Sequence, residues 1–249
     1  MKKILILDKK EGETPLEALE SFRSKNKKYQ DVKMTYAGRL DPMASGVLLV
    51  LAGNQIKNKD KYLALNKEYE FEVLFGYATD TYDILGKVGA SFGGAISATE
   101  LKKSIKNNLE KFTGKFIQKY PVYSSKTVLG KQLFQYGREG IDVEAPVREV
   151  VVKQLSLLNI REITGSKLLE NIEKRISKVT GDFRQEEILD VWRTELGARG
   201  EDIFFIGKFS IKCGSGTYVR GISDSLGEMI EIPALAFSIK RTKVGRWSV

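Results

Sequence analysis

One carboxylate in this chain is carried where it can act on something. The run Tyr36-Ala37-Gly38-Arg39-Leu40-Asp41-Pro42 puts Asp41 on a tight turn, and Met43-Ala44-Ser45-Gly46 leads from it into the apolar residues Val47 to Leu51. Gly38 opens backbone angles closed to other residues, and Pro42 fixes the chain immediately after the acid. A carboxylate held that way can be aimed at a substrate while a buried strand anchors it. An Asp-Pro turn entering a core strand is commonplace by itself, so the weight of this one depends on its surroundings.

Composition removes several competing chemistries. The 249 residues include no histidine, which excludes Ser-His-Asp and Cys-His triads, histidine bases and histidine-ligated zinc. Cys213 is the single cysteine, so neither an internal disulfide nor a thiolate metal cluster is possible. Its alternating neighbours Phe209 and Ile211 mark it as a buried structural thiol. No charged-then-apolar leader opens the chain and no apolar run approaches membrane-spanning length, so a soluble, cytoplasmic protein is expected.

The formal charge is +9, an excess that suits a polyanionic partner. Residues 161–200 carry eight basic and eight acidic side chains and contribute nothing to it. The excess lies in the rest of the chain, and a polyanion surface belongs there.

The elements that must position Asp41 follow from periodicity. Lys3 to Leu7 reads as a short buried strand. Thr14-Pro15-Leu16-Glu17 is a capping box opening a helix with Leu16, Leu19 and Phe22 on one face. The lysine-rich stretch Lys25 to Lys33 then connects to the Asp41 turn and suits a solvated loop as well as a polyanion contact. Glu68 to Phe75 alternates strictly, with Tyr69, Phe71, Val73 and Phe75 opposite three glutamates, as a half-buried strand does. Ser97-Ala98-Thr99-Glu100 opens a second helix bearing Leu101, Ile105 and Leu109, with Gly114 as its stop. Strands are expected at Lys115 to Lys119, Val147 to Leu158, Ile203 to Cys213 and Leu235 to Val244, and a helix over Gly216 to Met229. Between Arg161 and Gly200 the pattern predicts two amphipathic helices joined at Gly181 and Asp182. One carries Leu168, Leu169, Ile172, Ile176 and Val179, and the other carries Ile188, Leu189, Trp192 and Leu196. Strands and helices mixed without regular alternation argue for an α+β fold on a largely antiparallel sheet, with this helical hairpin inserted between two strands.

Four further segments accompany the Asp41 turn: Gly76-Tyr77-Ala78-Thr79-Asp80-Thr81-Tyr82-Asp83, Tyr120-Pro121-Val122-Tyr123-Ser124-Ser125-Lys126 leading to Gly130-Lys131, Gly214-Ser215-Gly216-Thr217-Tyr218-Val219-Arg220-Gly221, and Lys240-Arg241-Thr242-Lys243-Val244-Gly245. In this order and spacing, with ILILDKKEG near the start, they resemble the TruB-type tRNA pseudouridine synthases over about residues 3–160 and 203–246. The resemblance implies the pseudouridine synthase fold, a largely antiparallel mixed sheet flanked by helices. It implies an enzyme that converts one T-loop uridine of tRNA to pseudouridine without metal or organic cofactor, breaking the glycosidic N–C bond, turning the uracil and rejoining it through carbon.

The same resemblance implies roles. Asp41, in GRLDP, matches the catalytic aspartate, because an ionised carboxylate can attack or stabilise an electron-poor C1′ as its bond breaks. Arg220, in GTYVR, matches the arginine that pairs with that acid and orients it. Tyr69, in KEYEFEV, matches a tyrosine that stacks on the target base, and Tyr218 is expected beside the flipped uracil. Gly38 and Arg39 flank the acid and join Tyr36 in the expected substrate-binding set. The target lies in a folded loop and must be extruded, which calls for an aromatic pocket and a basic grip on flanking phosphates. Lys126, Lys131, Arg138 and Arg148 match the RNA-clasping segment, and Lys240, Arg241, Lys243 and Arg246 add candidate phosphate contacts.

The chain departs from that pattern in places. Tyr36 stands where the family commonly has a histidine, Thr127 where it has the lysine displaced here to Lys126, and Lys10 where it has proline. With its last residue at Val249, the chain is expected to be one catalytic domain over 1–249, with the hairpin at about 161–200 and no C-terminal PUA domain. The hairpin's neutral charge favours packing or a protein contact over contact with tRNA. A stand-alone monomer acting on the tRNA T-arm, with no membrane and no obligatory protein partner, is the expected form. The alternative is a tRNA-binding or folding factor with weak or lost catalysis. A guide-RNA-dependent synthase is a third possibility, disfavoured by the expected lack of a PUA domain.

Overall fold

The computed structural model describes residues 3–249. Its centre is a sheet built from strands scattered along the whole chain. The first strand, β1 (Ile4–Lys9), extends two residues beyond the expected Leu7 and pairs antiparallel with β3 (Ala44–Ala52), a strand buried along nearly its whole length. Between them lie α1 (Pro15–Ser24) and β2 (Met34–Tyr36), the latter an extra strand on β3. Both halves of the Thr14–Glu17 capping box form, but α1 buries Pro15, Ala18 and Leu19. Leu16, expected in the core, is instead 58% exposed. A single step along the helix, about 100° of rotation, decides this: proline at the first helical position takes the inward place. In the lysine-rich connection that follows, Tyr29 is buried against Phe22 while the lysines stay outside.

After the short α2 (Lys59–Leu63) comes β4 (Lys67–Phe75), then the small ribbon β5 (Tyr77–Thr79) and β6 (Val88–Ser91). Helix α3 (Ala98–Asn108) starts at the Ser97 capping box and ends short of Gly114, in a 3₁₀ turn over Leu109–Phe112. Next come β7 (Gly114–Lys119), the two-residue strands β8 (Thr127–Val128) and β9 (Lys131–Gln132), and α4 (Leu133–Glu139). The second half holds β10 (Val147–Thr164), α5 (Gly165–Ile176), α6 (Gln185–Gly197), β11 (Ile203–Cys213), α7 (Val219–Met229), β12 (Ala234–Val244) and β13 (Trp247–Ser248).

Strand order in the main sheet is β1-β3-β12-β4-β11-β10-β7, with β2 on β3 and β13 on β12. Every ladder is antiparallel except β3 with β12, where Ala44, Ser45 and Gly46 face Ile239, Lys240 and Arg241. The fold is therefore α+β on a mixed, largely antiparallel sheet, as the sequence pattern predicted. Strand β10 is six residues longer than expected and stays paired with β11 as far as Thr164 and Ile203. The hairpin helices thus occupy 165–197 and not the whole of 161–200, because the ladder persists until Thr164 caps α5 through its side chain.

The two faces of the sheet carry separate cores. On one face Phe71, Phe209 and Ile211 pack against Leu101 and Ile105 of α3 and Ile222 and Leu226 of α7. On the other, Leu74, Ile206 and Leu235 meet Leu168, Ile172 and Ile176 of α5 and Ile188, Trp192 and Leu196 of α6. This explains why the strict alternation expected of β4 breaks at Leu74. Glu68 and Glu70 pair with Lys243 and Lys208 on the uncovered stretch of that face, whereas Leu74 lies under the hairpin. Trp192 anchors the hairpin: its ring is fully buried, meets Tyr77 edge-on at 5.3 Å and donates Nε1–H to the Ile84 carbonyl at 3.2 Å.

Candidate active site

The turn bearing Asp41 is braced from both sides by buried cations. Gly38 has φ +91°, a conformation that favours glycine, and this folds the chain back toward β12. There Arg241, 1% exposed, donates to the carbonyls of Gly38 (3.1 Å), Arg39 (3.2 Å) and Val47 (2.7 Å). On the other side Lys9, also fully buried, donates Nζ–H to the carbonyls of Lys10, Pro42 and Ala44. Burial lowers the Lys9 ammonium to about 8, against the pull of nearby Glu13 and Asp41. Gly46 permits the close approach at the base of the turn, since a Cβ there would lie 2.2 Å from the Arg241 carbonyl oxygen. Arg241, expected at the surface beside Lys240 and Lys243, is thus turned inward as a brace. In β12, between β3 and β4, it takes the face opposite its exposed neighbour Lys240.

Asp41 itself is half-buried and receives the Nε–H of Arg220 on Oδ2 at 2.8 Å. The arginine side chain is only 3% exposed and sits in the first turn of α7. Its other two nitrogens donate to the carbonyls of Thr81 and Tyr123, both at 2.7 Å. A guanidinium held at three corners cannot swing away, so it orients the carboxylate as well as pairing with it. Among the described residues no other side chain donates to Asp41.

Asp41 and Arg220 open onto a cleft of about 900 Å³, toward the upper end of the range for ligand pockets, roughly 300–1,000 Å³. Tyr69 reaches the same cleft from β4, only 9% exposed, and burial raises its phenol. Tyr218 reaches it from the turn before α7, edge-on to Tyr120 at 5.7 Å and 5.6 Å from the Arg220 guanidinium. Its backbone is clamped by Gln118, which accepts from the Tyr218 N–H and donates to its carbonyl, each at 2.9 Å. Tyr36, Gly38 and Arg39 also line the cleft, Tyr36 half-buried and Arg39 exposed. The structure therefore gathers Asp41, Tyr69, Arg220, Tyr36, Gly38, Arg39, Tyr218 and Arg241 around one opening.

Lys126 and Lys131 stand apart from it. Lys126 is exposed over the Tyr120 ring, and Lys131 pairs with Glu139 over the Tyr136 ring. The cleft cations contributed by this segment are Arg138 and Arg148. Local sequence does not distinguish the two sets, because α4 and the loops around it decide which side chains turn inward.

Several cleft residues carried no expected role. Lys67 starts β4, and burial lowers it to about 8. Asp83 is 7% exposed and accepts from the Thr81 hydroxyl (2.8 Å) and the Leu85 amide (3.0 Å); burial raises its carboxyl to about 6. Phe183 and Arg184 come from the turn between α5 and α6, in a segment whose balanced charge points to packing or a protein contact. The motif TDTYD already held the signal for Asp83, whereas nothing local marked Arg184. Among the described residues, no cluster of three or more metal-ligating side chains is gathered.

Comparison with known proteins places this geometry. The family described as "TruB family pseudouridylate synthase (N terminal domain)" matches residues 25–181. The chain belongs to the TruB family. Its TruB relatives include the tRNA pseudouridine synthase B of Lactobacillus acidophilus, 32% identical over 96% of this chain and 67% of the relative. That of Caldanaerobacter subterraneus subsp. tengcongensis is 31% identical over 87% of this chain and 61% of the relative. The chain thus spans about two thirds of the length of the TruB relatives it matches. Among solved structures, a chain of a Cbf5-Nop10-Gar1 complex superposes with TM-score 0.56 at 18% identity, over 98% of this chain and 49% of that one. A chain from an H/ACA RNP bound to a substrate RNA containing 2′-deoxyuridine gives 0.55 at 17%, over 98% and 48%. This chain spans about half of those, and at such identity they share its fold.

Proposed function

We propose that this protein isomerises a uridine in the T-arm of tRNA to pseudouridine, with Asp41 as the catalytic carboxylate. The observation that carries the reading is the Asp41–Arg220 pair, 2.8 Å apart, on the wall of a cleft that also presents Tyr69 and Tyr218. In the reaction the N1–C1′ bond breaks, the uracil turns within the cleft, and a C5–C1′ bond forms; the proton leaves C5 and N1 is protonated. The carboxylate attacks or stabilises the electron-poor C1′, while Arg220 holds it oriented. Tyr69 and Tyr218 supply apolar, flat walls for a base taken out of its stack. Family membership and the relatives' names support tRNA as the substrate. Arg39 and Arg148 line the cleft, exposed and without a carboxylate partner among the described residues, as phosphate contacts require.

We further read the chain as a catalytic domain acting alone. What supports this is that the hairpin's apolar face is covered by the sheet. No helix among the described residues is long and apolar enough to cross a membrane. The deciding experiment is pseudouridine formation on a T-arm stem-loop. The wild type converts the T-loop uridine, and Asp41→Asn binds the same RNA without converting it. Conversion by both proteins would remove Asp41 from the chemistry, and binding with no conversion by either would remove the reaction.

A further inference from the structure

The Arg220 guanidinium hangs from two carbonyls that belong to different loops. The Thr81 carbonyl lies in the turn after β5, and the Tyr123 carbonyl lies in the connection between β7 and β8. No strand ladder joins these two loops to each other. Arg184 joins them, beside a direct side-chain interaction of Tyr123 with Asp80. Arg184 Nη1 donates to Asp80 Oδ2 at 2.8 Å, one residue from Thr81, and its guanidinium lies 4.3 Å from the centre of the Tyr123 ring. Each handhold is within one residue of a carbonyl that holds Arg220.

We propose that Arg184, at the tip of the inserted hairpin, is a positioning residue for the Asp41–Arg220 pair, clamping together the two loops whose carbonyls fix the Arg220 guanidinium. The inference rests on the reaction proposed above, with Asp41 as its centre. Arg184 lies in the turn between α5 and α6, three residues past the end of the family match at residue 181.

The tip is built to hold this arginine. Arg184 adopts φ +64°, a conformation uncommon outside glycine, and such strain persists only where the surroundings enforce it. Gln185 supplies the enforcement: its side chain donates to the Val179 and Gly181 carbonyls and accepts from the Phe183 amide at 2.8 Å. Asp182 accepts from the Arg184 amide at 3.2 Å. The receiving carboxylate is oriented as well, since Asp80 Oδ1 accepts from the Lys87 amide at 2.9 Å. A second grip runs from Arg138 of α4 to the Asp182 carbonyl, tying the clasping segment to the same tip. With its charge matched by Asp80, its face on Tyr123 and its side chain 17% exposed, Arg184 is poorly placed to serve as a phosphate contact. A lysine would keep the ion pair but lose the flat face that lies on the ring.

The test uses full-length wild type, Arg184→Ala, Arg184→Lys, Asp80→Asn and the Arg184→Ala/Asp80→Asn double variant. Single-turnover rate and affinity are measured on a T-arm stem-loop. Arg184→Ala should lower the single-turnover rate by about 10- to 100-fold, with affinity within about twofold of wild type. Arg184→Lys should recover part of the rate, and the double variant should be no slower than Arg184→Ala, because both changes release the same clamp. A rate within about twofold of wild type, a loss confined to affinity, or additive effects of the two single changes would each overturn the proposal. Lack of conversion by the wild type would instead count against the reaction. In that case amide hydrogen exchange still reads the clamp: Arg184→Ala should speed exchange in residues 79–85 and 120–126 together. Unchanged protection in both segments would overturn it. If Arg184→Ala does not fold, Arg184→Lys and Asp80→Asn carry the same readouts.

Discussion

At the scale of single residues, the site is defined by charged groups that have been taken out of water and given fixed partners. Arg241 and Lys9 hold the backbone of the Asp41 turn, and Arg220 holds its side chain. At two carboxyls burial outweighs the partners. Burial raises Asp83 to about 6, and burial together with Glu228 on the same helix raises Asp224, which also faces Tyr82, to about 7. A carboxyl raised in the folded state binds more protons there than in the unfolded chain between the two pKa values, so stability falls as pH rises through that window. Folding stability should therefore decline from about pH 4 toward pH 6 through Asp83, and on toward pH 7 through Asp224. Urea unfolding against pH checks this. Asp83→Asn should flatten the lower part of the decline and Asp224→Asn the part that extends highest, whereas an unchanged profile in both would rule out the assignment.

At the scale of elements, the inserted hairpin is both a lid on the sheet and a contributor to the cleft. Its core residues leave nothing exposed at the centre, and Trp192 carries the largest share. Trp192→Ala should destabilise the protein by about 3–5 kcal/mol, read as a shift in the urea midpoint at constant slope. A loss below about 1 kcal/mol would mean that the hairpin packs loosely. The sequence pattern located these helices well because apolar residues recur at helical spacing in both. It misplaced their boundary at Arg161, since strand pairing between β10 and β11 depends on partners far along the chain, Ile206 for Arg161 and Ile203 for Thr164, and leaves little local trace. Leu16 and Arg241 were misjudged for the same reason: amphipathic spacing and surface-looking charge do not reveal which neighbour lies opposite. The residues themselves gave the Asp41 turn, but the roles of Tyr69 and Arg220 and the pairing of Asp41 with Arg220 came from family resemblance, because 179 residues separate that pair. Arg184 had neither a motif nor a charge bias to mark it.

At the scale of the whole molecule, the +9 excess lies outside the charge-neutral hairpin region, and part of it faces the cleft. Arg39→Ala and Arg148→Ala should each weaken tRNA binding and reduce the slope of log affinity against log salt by about 1. Lys126→Ala, which stands away from the opening, should change that slope less. Equal effects of all three would point to a diffuse basic surface and not a directed one. The brace on the Asp41 turn has a further consequence, in the order of synthesis. The acid leaves the ribosome early, but Arg241, which fixes the turn's carbonyls from β12, follows two hundred residues later. Domains assemble as their segments emerge, so a nascent or stalled chain that stops short of residue 241 displays the carboxylate on an unbraced loop. The device that rigidifies the site thereby makes its geometry wait for the completed chain.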